Sequence, residues 1–163
     1  MIFTGRVWKF GNDINTDLMM PGEVFSFPVE QQARQVFRAN RPGWVDQVRE
    51  GDILIGGRNF GTGSSRPAAR LLRHLGITCV VAESINGLFF RNCVNFALAP
   101  MTCAGITAAF KEGEEAAVDF IQGVVTHVAS GRVLQGEALP DFLQEIIATG
   151  GTVERLRSQG FLR

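Results

Sequence analysis

Two short apolar runs, each followed by a helix-forming segment, restrict most strongly how this chain can fold. Residues 52–57 and 78–82 predict buried strands. Residues 67–74 and 85–95 predict the helices that follow them, the first with Pro67 in its opening turn, where a missing N–H is tolerated. Strands that alternate with helices usually pack as parallel neighbours in one layer. The pattern therefore predicts an α/β fold with a parallel sheet.

The segments before residue 52 and after residue 95 predict further strands and helices. Strands are expected at residues 2–8, 115–120, 124–128 and 131–134, and helices at residues 29–39, 42–48, 140–149 and 153–158. The sequence has no internal repeat, no low-complexity tract and no linker long enough to divide domains. The 163 residues therefore predict a single domain, residues 1–163.

The charge balance excludes some classes of partner. The chain has 16 basic and 16 acidic residues, whereas a nucleic-acid-binding protein needs a basic excess to neutralise phosphates. No segment approaches the run of about 20 apolar residues that spans a bilayer, and the first residues do not have the pattern of a signal peptide. We therefore expect a cytoplasmic protein that binds neither nucleic acid nor membrane.

The cysteines fit the same interpretation. Cys79, Cys93 and Cys103 are odd in number and their spacing matches no C-x-x-C metal pattern. We expect reduced structural thiols, as is usual in the cytoplasm, and no metal bound by this chain.

A glycine-rich loop at residues 58–66 combines several groups that bind anions. It lies between a predicted strand and a helix start, where backbone amides are unpaired and carry partial positive charge. Glycines let the backbone approach a ligand, and hydroxyl groups and the planar guanidinium of Arg66 add donors suited to a carboxylate. The alternative is a plain helix cap, with Ser64 or Ser65 capping and Arg66 on the surface. Both remain open from the residues alone, and the strand–loop–helix setting favours a site.

Other kinds of site fit the loop less well. No lysine follows its second glycine, as a Walker A motif requires, and Arg66 stands where G-x-G-x-x-G has its third glycine. Ser64 does not lie in G-x-S-x-G, and no histidine or lysine base is placed near it. A stand-alone enzyme that uses Ser64 as a covalent nucleophile is therefore disfavoured.

Four segments resemble one known family, in the order in which the family has them. Residues 59–66 read NFGTGSSR, residues 13–21 read DINTDLMMP, AES at residues 82–84 is followed by FFRN at residues 89–92, and LPDFL at residues 139–143 precedes a glycine pair. These segments are similar to those of the aconitase swivel-domain family, which includes the small subunits of isopropylmalate dehydratases. The resemblance covers nearly the whole chain.

The resemblance implies a swivelling β/β/α domain and a shared active site. In that family the small subunit covers a separate large subunit, which holds a 4Fe–4S iron–sulfur cluster through its own cysteines. The reaction removes water from a substituted malate and adds it back, which moves the hydroxyl group to the neighbouring carbon. The resemblance thus implies a hydro-lyase subunit that binds a small dicarboxylate substrate and is inactive without its large subunit.

The resemblance also implies roles for individual residues. Ser64 matches the serine that acts as the base, a role that requires nearby amides and cations because serine is a poor base at its ordinary pKa. Arg66 matches the arginine that binds a substrate carboxylate, together with the Ser65 amide and the backbone at Gly63. Asp17 matches an aspartate that assists the acid–base machinery on the cluster side. The alternative for Asp17 is an Asx-turn or capping residue.

Two positions depart from the family pattern. Pro67 and Ala68 replace the usual Glu-His after Arg66, and Gly22-Glu23-Val24-Phe25 replaces the usual Ala-Arg-Tyr-Leu. In the family the second loop contacts the variable substituent of the substrate. Val24 and Phe25 offer no positive charge there, which favours an apolar alkyl group such as isopropyl or methyl. The alternative is that Phe25 packs in the core.

The expected substrate is therefore 3-isopropylmalate, which is isomerised to 2-isopropylmalate in leucine biosynthesis. Two alternatives stay open. The chain could serve a related dehydratase of the citramalate or dimethylmalate type. It could also be a non-catalytic carboxylate-binding relative, as the loss of Glu-His after Arg66 allows.

Overall fold

The strands form one mixed sheet. The structure is a computed structural model that describes residues 1–63 and 66–163. Its strands are β1 (Ile2–Lys9), β2 (Ile53–Gly56), β3 (Cys79–Ala82), β4 (Ala99–Thr102), β5 (Glu115–Asp119), β6 (Val124–His127) and β7 (Val133–Gln135). Within the described residues they are ordered β4-β3-β2-β1-β5-β6-β7. The predicted α/β class is confirmed.

Strand β1 joins two halves of the sheet that have different strand directions. Its carboxyl half pairs in parallel with β2, with Val7 opposite Ile53, and β3 and β4 continue the parallel half. Its amino half pairs antiparallel with β5, with Gly5 opposite Ala116, and β6 and β7 continue the antiparallel half. The predicted parallel arrangement is therefore confirmed for β1 to β4 and does not extend to the last three strands.

Helices cover both faces of the parallel half. They are α1 (Thr16–Met19), α2 (Val29–Ala33), α3 (Ala68–His74), α4 (Gly87–Asn95), α5 (Ile106–Ala109), α6 (Asp141–Ala148) and α7 (Thr152–Ser158). Alternate residues of a strand point to opposite faces. Leu54 accordingly belongs to a core with α1, α3 and α4, and its neighbours Ile53 and Ile55 belong to a second core with α5 and α6. Strand β2 is buried throughout for this reason.

Two predicted helices need correction, and three elements are additional. The helix expected at residues 29–39 ends at Ala33, because Phe37 takes a left-handed backbone conformation (φ +57°) and its amide donates to the carbonyl of Leu18. The helix expected at residues 42–48 is a 3₁₀ turn at Trp44–Asp46. Strand β4 and the short helices α1 and α5 were not expected from the sequence.

A buried carboxylate fastens β1 to the turn that precedes β2. Asp52, 4% exposed, accepts hydrogen bonds from Arg6 Nη2 (2.7 Å), Trp8 Nε1 (2.7 Å) and the Arg49 amide (2.9 Å). Burial alone would raise the pKa of Asp52, but these hydrogen bonds and the charge of Arg6 bring that pKa below its ordinary value. Asp52 is therefore held ionised by partners from both segments.

None of the helices within residues 1–63 and 66–163 is both long enough and apolar enough to cross a membrane.

Candidate functional site

The connections that leave β1 and β2 are bound to each other at the carboxyl ends of these strands. The Asp13 amide donates to the Arg58 carbonyl (2.8 Å), and the Asn59 side-chain amide donates to the Asp13 carboxylate (2.9 Å). Ile14, the residue after Asp13, accepts a hydrogen bond from the Gly61 amide at its carbonyl (2.8 Å). Two of the segments that carry the family resemblance are therefore in direct contact.

The connection that leaves β3 is attached to the same place. The Ser84 hydroxyl group accepts a hydrogen bond from the Asn59 amide (2.8 Å), and the Ser84 carbonyl accepts one from the Phe60 amide (3.0 Å). The Phe60 carbonyl in turn accepts the Asn86 amide (2.8 Å), and the Asn86 side chain caps α4 at Leu88. The carboxyl ends of adjacent parallel strands are a usual place for a ligand site.

Two glycines make this close contact possible. Gly61 has φ +79°, and a Cβ atom there would lie 2.2 Å from the ring carbon Cγ of Phe89. Gly63 has φ +99°, and a Cβ atom would lie 2.5 Å from the side-chain oxygen of Asn15. Both the backbone conformation and the space therefore require glycine.

Asp17 and Arg66 form an ion pair beside this junction. Asn15 caps α1 by accepting the Asp17 amide (2.8 Å), which fixes the start of that short helix. The Asp17 carboxylate accepts a hydrogen bond from Arg66 Nε (2.7 Å), with the side chains 55% and 24% exposed. Arg66 also donates through Nη1 to the Met20 carbonyl (3.2 Å). Two of the predicted site residues are thus brought together, and the guanidinium is already in contact with a carboxylate.

Ser64 and Ser65, predicted as the base and as a substrate-binding amide, lie outside the described residues. Their roles therefore stay predictions that depend on the family resemblance. Gly63 is described and lies against Asn15.

The start of α3 bears on the alternative that the loop is only a helix cap. The N-cap position is Pro67, which makes no side-chain cap, and the Ala69 amide donates instead to Asn92 of α4 (2.9 Å). This capping role of Asn92 was missed, because the cap comes from a helix that is distant in sequence. Arg66 is partly buried and ion-paired, unlike the surface arginine of that alternative.

Glu83, which begins the third connection, has a structural role that the sequence did not reveal. Its carboxylate accepts the amides of Gly105 (2.8 Å) and Thr107 (3.0 Å) and the Thr107 hydroxyl (2.7 Å). Burial alone would raise the pKa of Glu83. These hydrogen bonds and the charge of Arg58 bring that pKa below its ordinary value. Glu83 is therefore ionised and holds the start of α5.

The two residues expected to contact the substrate's substituent differ in exposure. Val24 is buried, at 2% exposed, whereas Phe25 is 61% exposed. The Gln32 side-chain amide donates to the carbonyls of Phe25 (3.0 Å) and Phe27 (2.7 Å), which fixes the backbone of this segment. Of the two predicted contact residues, Phe25 is the one that a molecule in solution reaches without movement of the loop.

The chain is similar in sequence to known proteins over nearly its whole length. Residues 28–105 match the aconitase C-terminal domain family. The chain is 41% identical to the isopropylmalate/citramalate isomerase small subunit of Methanocaldococcus jannaschii, over 97% of this chain and 95% of that protein. It is 38% identical to 3-isopropylmalate dehydratase small subunit 1 of Methanopyrus kandleri, over 98% and 95% of the two chains. This chain belongs to the isopropylmalate dehydratase small-subunit family.

The crystal structure of the 3-isopropylmalate dehydratase of Methanocaldococcus jannaschii has the same fold as this member of the small-subunit family. The TM-score is 0.90 at 30% sequence identity, and the match covers 98% of this chain and 96% of that one. The predicted swivelling β/β/α fold is thereby confirmed.

The three thiols of this small-subunit family member are divided between the two cores, with Cys93 in the first and with Cys79 and Cys103 in the second. Cys79, Cys93 and Cys103 are buried. Burial raises the pKa of the Cys79 thiol to about 12 and raises those of Cys93 and Cys103 as well. Within residues 1–63 and 66–163, no group of three or more histidine, cysteine or acidic side chains is placed to hold a metal ion.

Proposed function

We propose that this chain is the small subunit of a hydro-lyase that interconverts 3-isopropylmalate and 2-isopropylmalate in leucine biosynthesis. The observation that carries the proposal is the arrangement of Asp17 and Arg66, which belong to two motifs of the family and meet at 2.7 Å beside the junction of three strand ends. The names of its relatives support the same substrate class.

Arg66 is proposed to bind a substrate carboxylate. Its guanidinium already binds one carboxylate, that of Asp17, and the planar fork of arginine is suited to carboxylates in general. The Ser65 amide and the backbone at Gly63 are proposed to complete this anion site, and Ser64 is proposed to remove the proton next to the carboxylate. A base of this kind requires amides and a cation nearby, and the Arg66 guanidinium would supply the positive charge.

Asp17 is proposed to assist acid–base chemistry on the side that faces the partner. Its carboxylate is 55% exposed although it is paired with Arg66, so a group on another chain can reach it. Val24 and Phe25 are proposed to lie toward the variable substituent. The exposed ring of Phe25 favours an alkyl group over a charged one.

A large subunit is proposed to carry the 4Fe–4S cluster and to complete the active site. The cysteines of this chain are buried and divided between the two cores, which supports placement of the cluster on the partner. The chain alone is therefore proposed to be inactive. The cytoplasm is proposed as its compartment, since three unpaired thiols fit a reducing environment.

One relative favours a second candidate substrate. The isopropylmalate/citramalate isomerase small subunit is 41% identical to this chain, and both names describe substituted malates with an alkyl group. A citramalate-type or dimethylmalate-type reaction is therefore the alternative, and an exposed apolar ring at Phe25 is compatible with either alkyl group.

Reconstitution tests the proposal. The chain is co-expressed with a large subunit that carries the cluster, purified without oxygen, and assayed with 3-isopropylmalate, citramalate, dimethylmalate and a malate that has a charged substituent. We expect the chain alone to be colourless and inactive, and the complex to turn over 3-isopropylmalate best. Preference for a methyl-substituted malate would establish the alternative. Binding of dicarboxylates without turnover in any reconstitution would instead identify a non-catalytic relative.

A further inference from the structure

The guanidinium of Arg66 is held on several sides by the segment from Asp17 to Gly22. Asp17 accepts Nε at 2.7 Å, and the Met20 carbonyl accepts Nη1 at 3.2 Å. Two contacts at different nitrogens fix both the position of a planar group and the direction in which it faces. The orientation of Arg66 is therefore set by this segment as well as by its own loop.

Gly22 provides the space in which the guanidinium lies. A Cβ atom at Gly22 would lie 2.9 Å from Nη1 and 3.3 Å from Nη2 of Arg66, and these two nitrogens are the nearest atoms to it. Gly22 does not have a left-handed backbone conformation, so an L side chain would fit the backbone there. What glycine allows at this position is therefore the close approach of Arg66.

We infer that Gly22 is a positioning residue, which sets the direction of the Arg66 guanidinium by leaving the face of the backbone open to it. This inference rests on the proposed role of Arg66 in carboxylate binding. A methyl group would force the end of a flexible side chain to shift, and it would leave the fold intact.

The test compares Gly22→Ala with Gly11→Ala in the reconstituted enzyme. A Cβ atom at Gly11 would meet no atom within 4 Å, so this variant adds a methyl group without a contact. Some arginines bind the substrate and the transition state equally well. Misplacement of such an arginine raises KM more than it lowers kcat. We expect Gly22→Ala to raise KM for 3-isopropylmalate about three- to tenfold and to change kcat less than twofold. A smaller effect than the roughly hundredfold loss of rate that a 1 Å misplacement can cause is expected because the shift of the guanidinium is small. Gly11→Ala is expected to change neither.

A second readout uses the isolated chain and does not depend on activity. Nitrogen-15 NMR detects the Arg66 Nε–H group, whose signal is assigned by its loss in Arg66→Lys. Gly22→Ala should shift this signal, as should Asp17→Asn, which weakens the acceptor without adding volume, whereas Gly11→Ala should not. An unchanged signal together with an unchanged KM in Gly22→Ala would overturn the inference. Full turnover by Arg66→Lys would instead reject the proposed role of Arg66, whatever the Gly22 variant does.

Discussion

At the scale of single residues, Arg66 shows what the sequence could and could not establish. The motif around it identifies a carboxylate-binding arginine through the family resemblance. The pairing with Asp17, however, joins residues from two connections that are far apart in the chain, and no local pattern encodes such a contact. Gly22 departs from the family pattern, but its contact with the guanidinium depends on the folded arrangement.

Replacement of Arg66 by lysine tests the importance of the planar fork. Lysine keeps the charge but loses the bidentate geometry. We expect kcat/KM of the reconstituted enzyme to fall about 10- to 100-fold, since hydrogen bonds to charged groups contribute about 1.5–3 kcal/mol. Arg70→Lys, at an exposed position of α3, is the matched control and should retain wild-type kcat/KM. Wild-type turnover by Arg66→Lys would contradict the assignment.

Replacement of Gly61 by alanine tests the junction of the three connections. The new Cβ atom would overlap the Phe89 ring and the backbone has φ +79°, so we expect a loss of about 2–4 kcal/mol in the free energy of unfolding. Gly113→Ala separates the two causes, because Gly113 has φ +87° but nothing within 4 Å of the added atom. Urea denaturation measures both. Equal losses in the two variants would show that contact with Phe89 costs nothing.

At the scale of elements, strands and helices whose cues are local were predicted and those shaped by distant contacts were not. Strand β2 and helix α3 follow from an apolar run, a proline and a polar loop. Helix α2 ends at Ala33 because the Phe37 amide bonds to Leu18, a contact that helix-forming composition cannot reveal. Strand β4 contains Pro100, which argues against a central strand, and it lies at the edge of the sheet where proline is tolerated.

The cap that α4 supplies to α3 gives a prediction at this scale. In Asn92→Ala the Ala69 amide loses its acceptor (2.9 Å), and we expect a loss of about 1 kcal/mol in the free energy of unfolding, as for other helix caps. For a chain of this size that corresponds to a melting temperature lower by roughly 2–4 °C, measurable by circular dichroism. Arg91→Ala, the exposed neighbour on α4, is the control. A change in Asn92→Ala no larger than in Arg91→Ala would show that the cap does not stabilise α3.

At the scale of the whole molecule, β1 holds together two halves that the sequence described only separately. The parallel half was predicted from the alternation of strands and helices. The last three strands were predicted as strands, but nothing in their sequences indicates that β5 returns to pair with β1. That pairing is long-range, and it places the two cores on opposite faces of one continuous sheet.

The carboxylate of Asp52 predicts how the stability of the whole chain depends on pH. Its pKa in the folded chain is lowered below the ordinary value of 3.8, so its contribution is complete above that value and is lost as the pH falls through the lowered pKa. We expect Asp52→Asn to lower the melting temperature by about 3–12 °C at pH 7, from a loss of about 1.5–3 kcal/mol. Tryptophan fluorescence measures the transition, since Trp8 donates to Asp52 (2.7 Å) and Trp44 lies in the same core.

The difference between wild type and Asp52→Asn should begin to shrink as the pH falls below 3.8, and it should disappear as the pH falls through the lowered pKa, where the folded wild-type carboxylate takes up a proton. Asp46→Asn, at an exposed aspartate, serves as the control and should follow the wild-type profile. A gap between wild type and Asp52→Asn that stays constant down to pH 2 would contradict the assignment.

The hydrogen bonds that join the three strand ends also divide the site into a fixed part and a replaceable part. Residues 12–17, 59–63 and 84–86 bind one another, so a substitution in one of them disturbs the others. The segment from Glu23 to Phe27 lies beyond this junction and has its own support from Gln32. Evolution can therefore exchange residues of that segment, and with them the preferred side group of the substrate, while the inherited carboxylate site keeps its form.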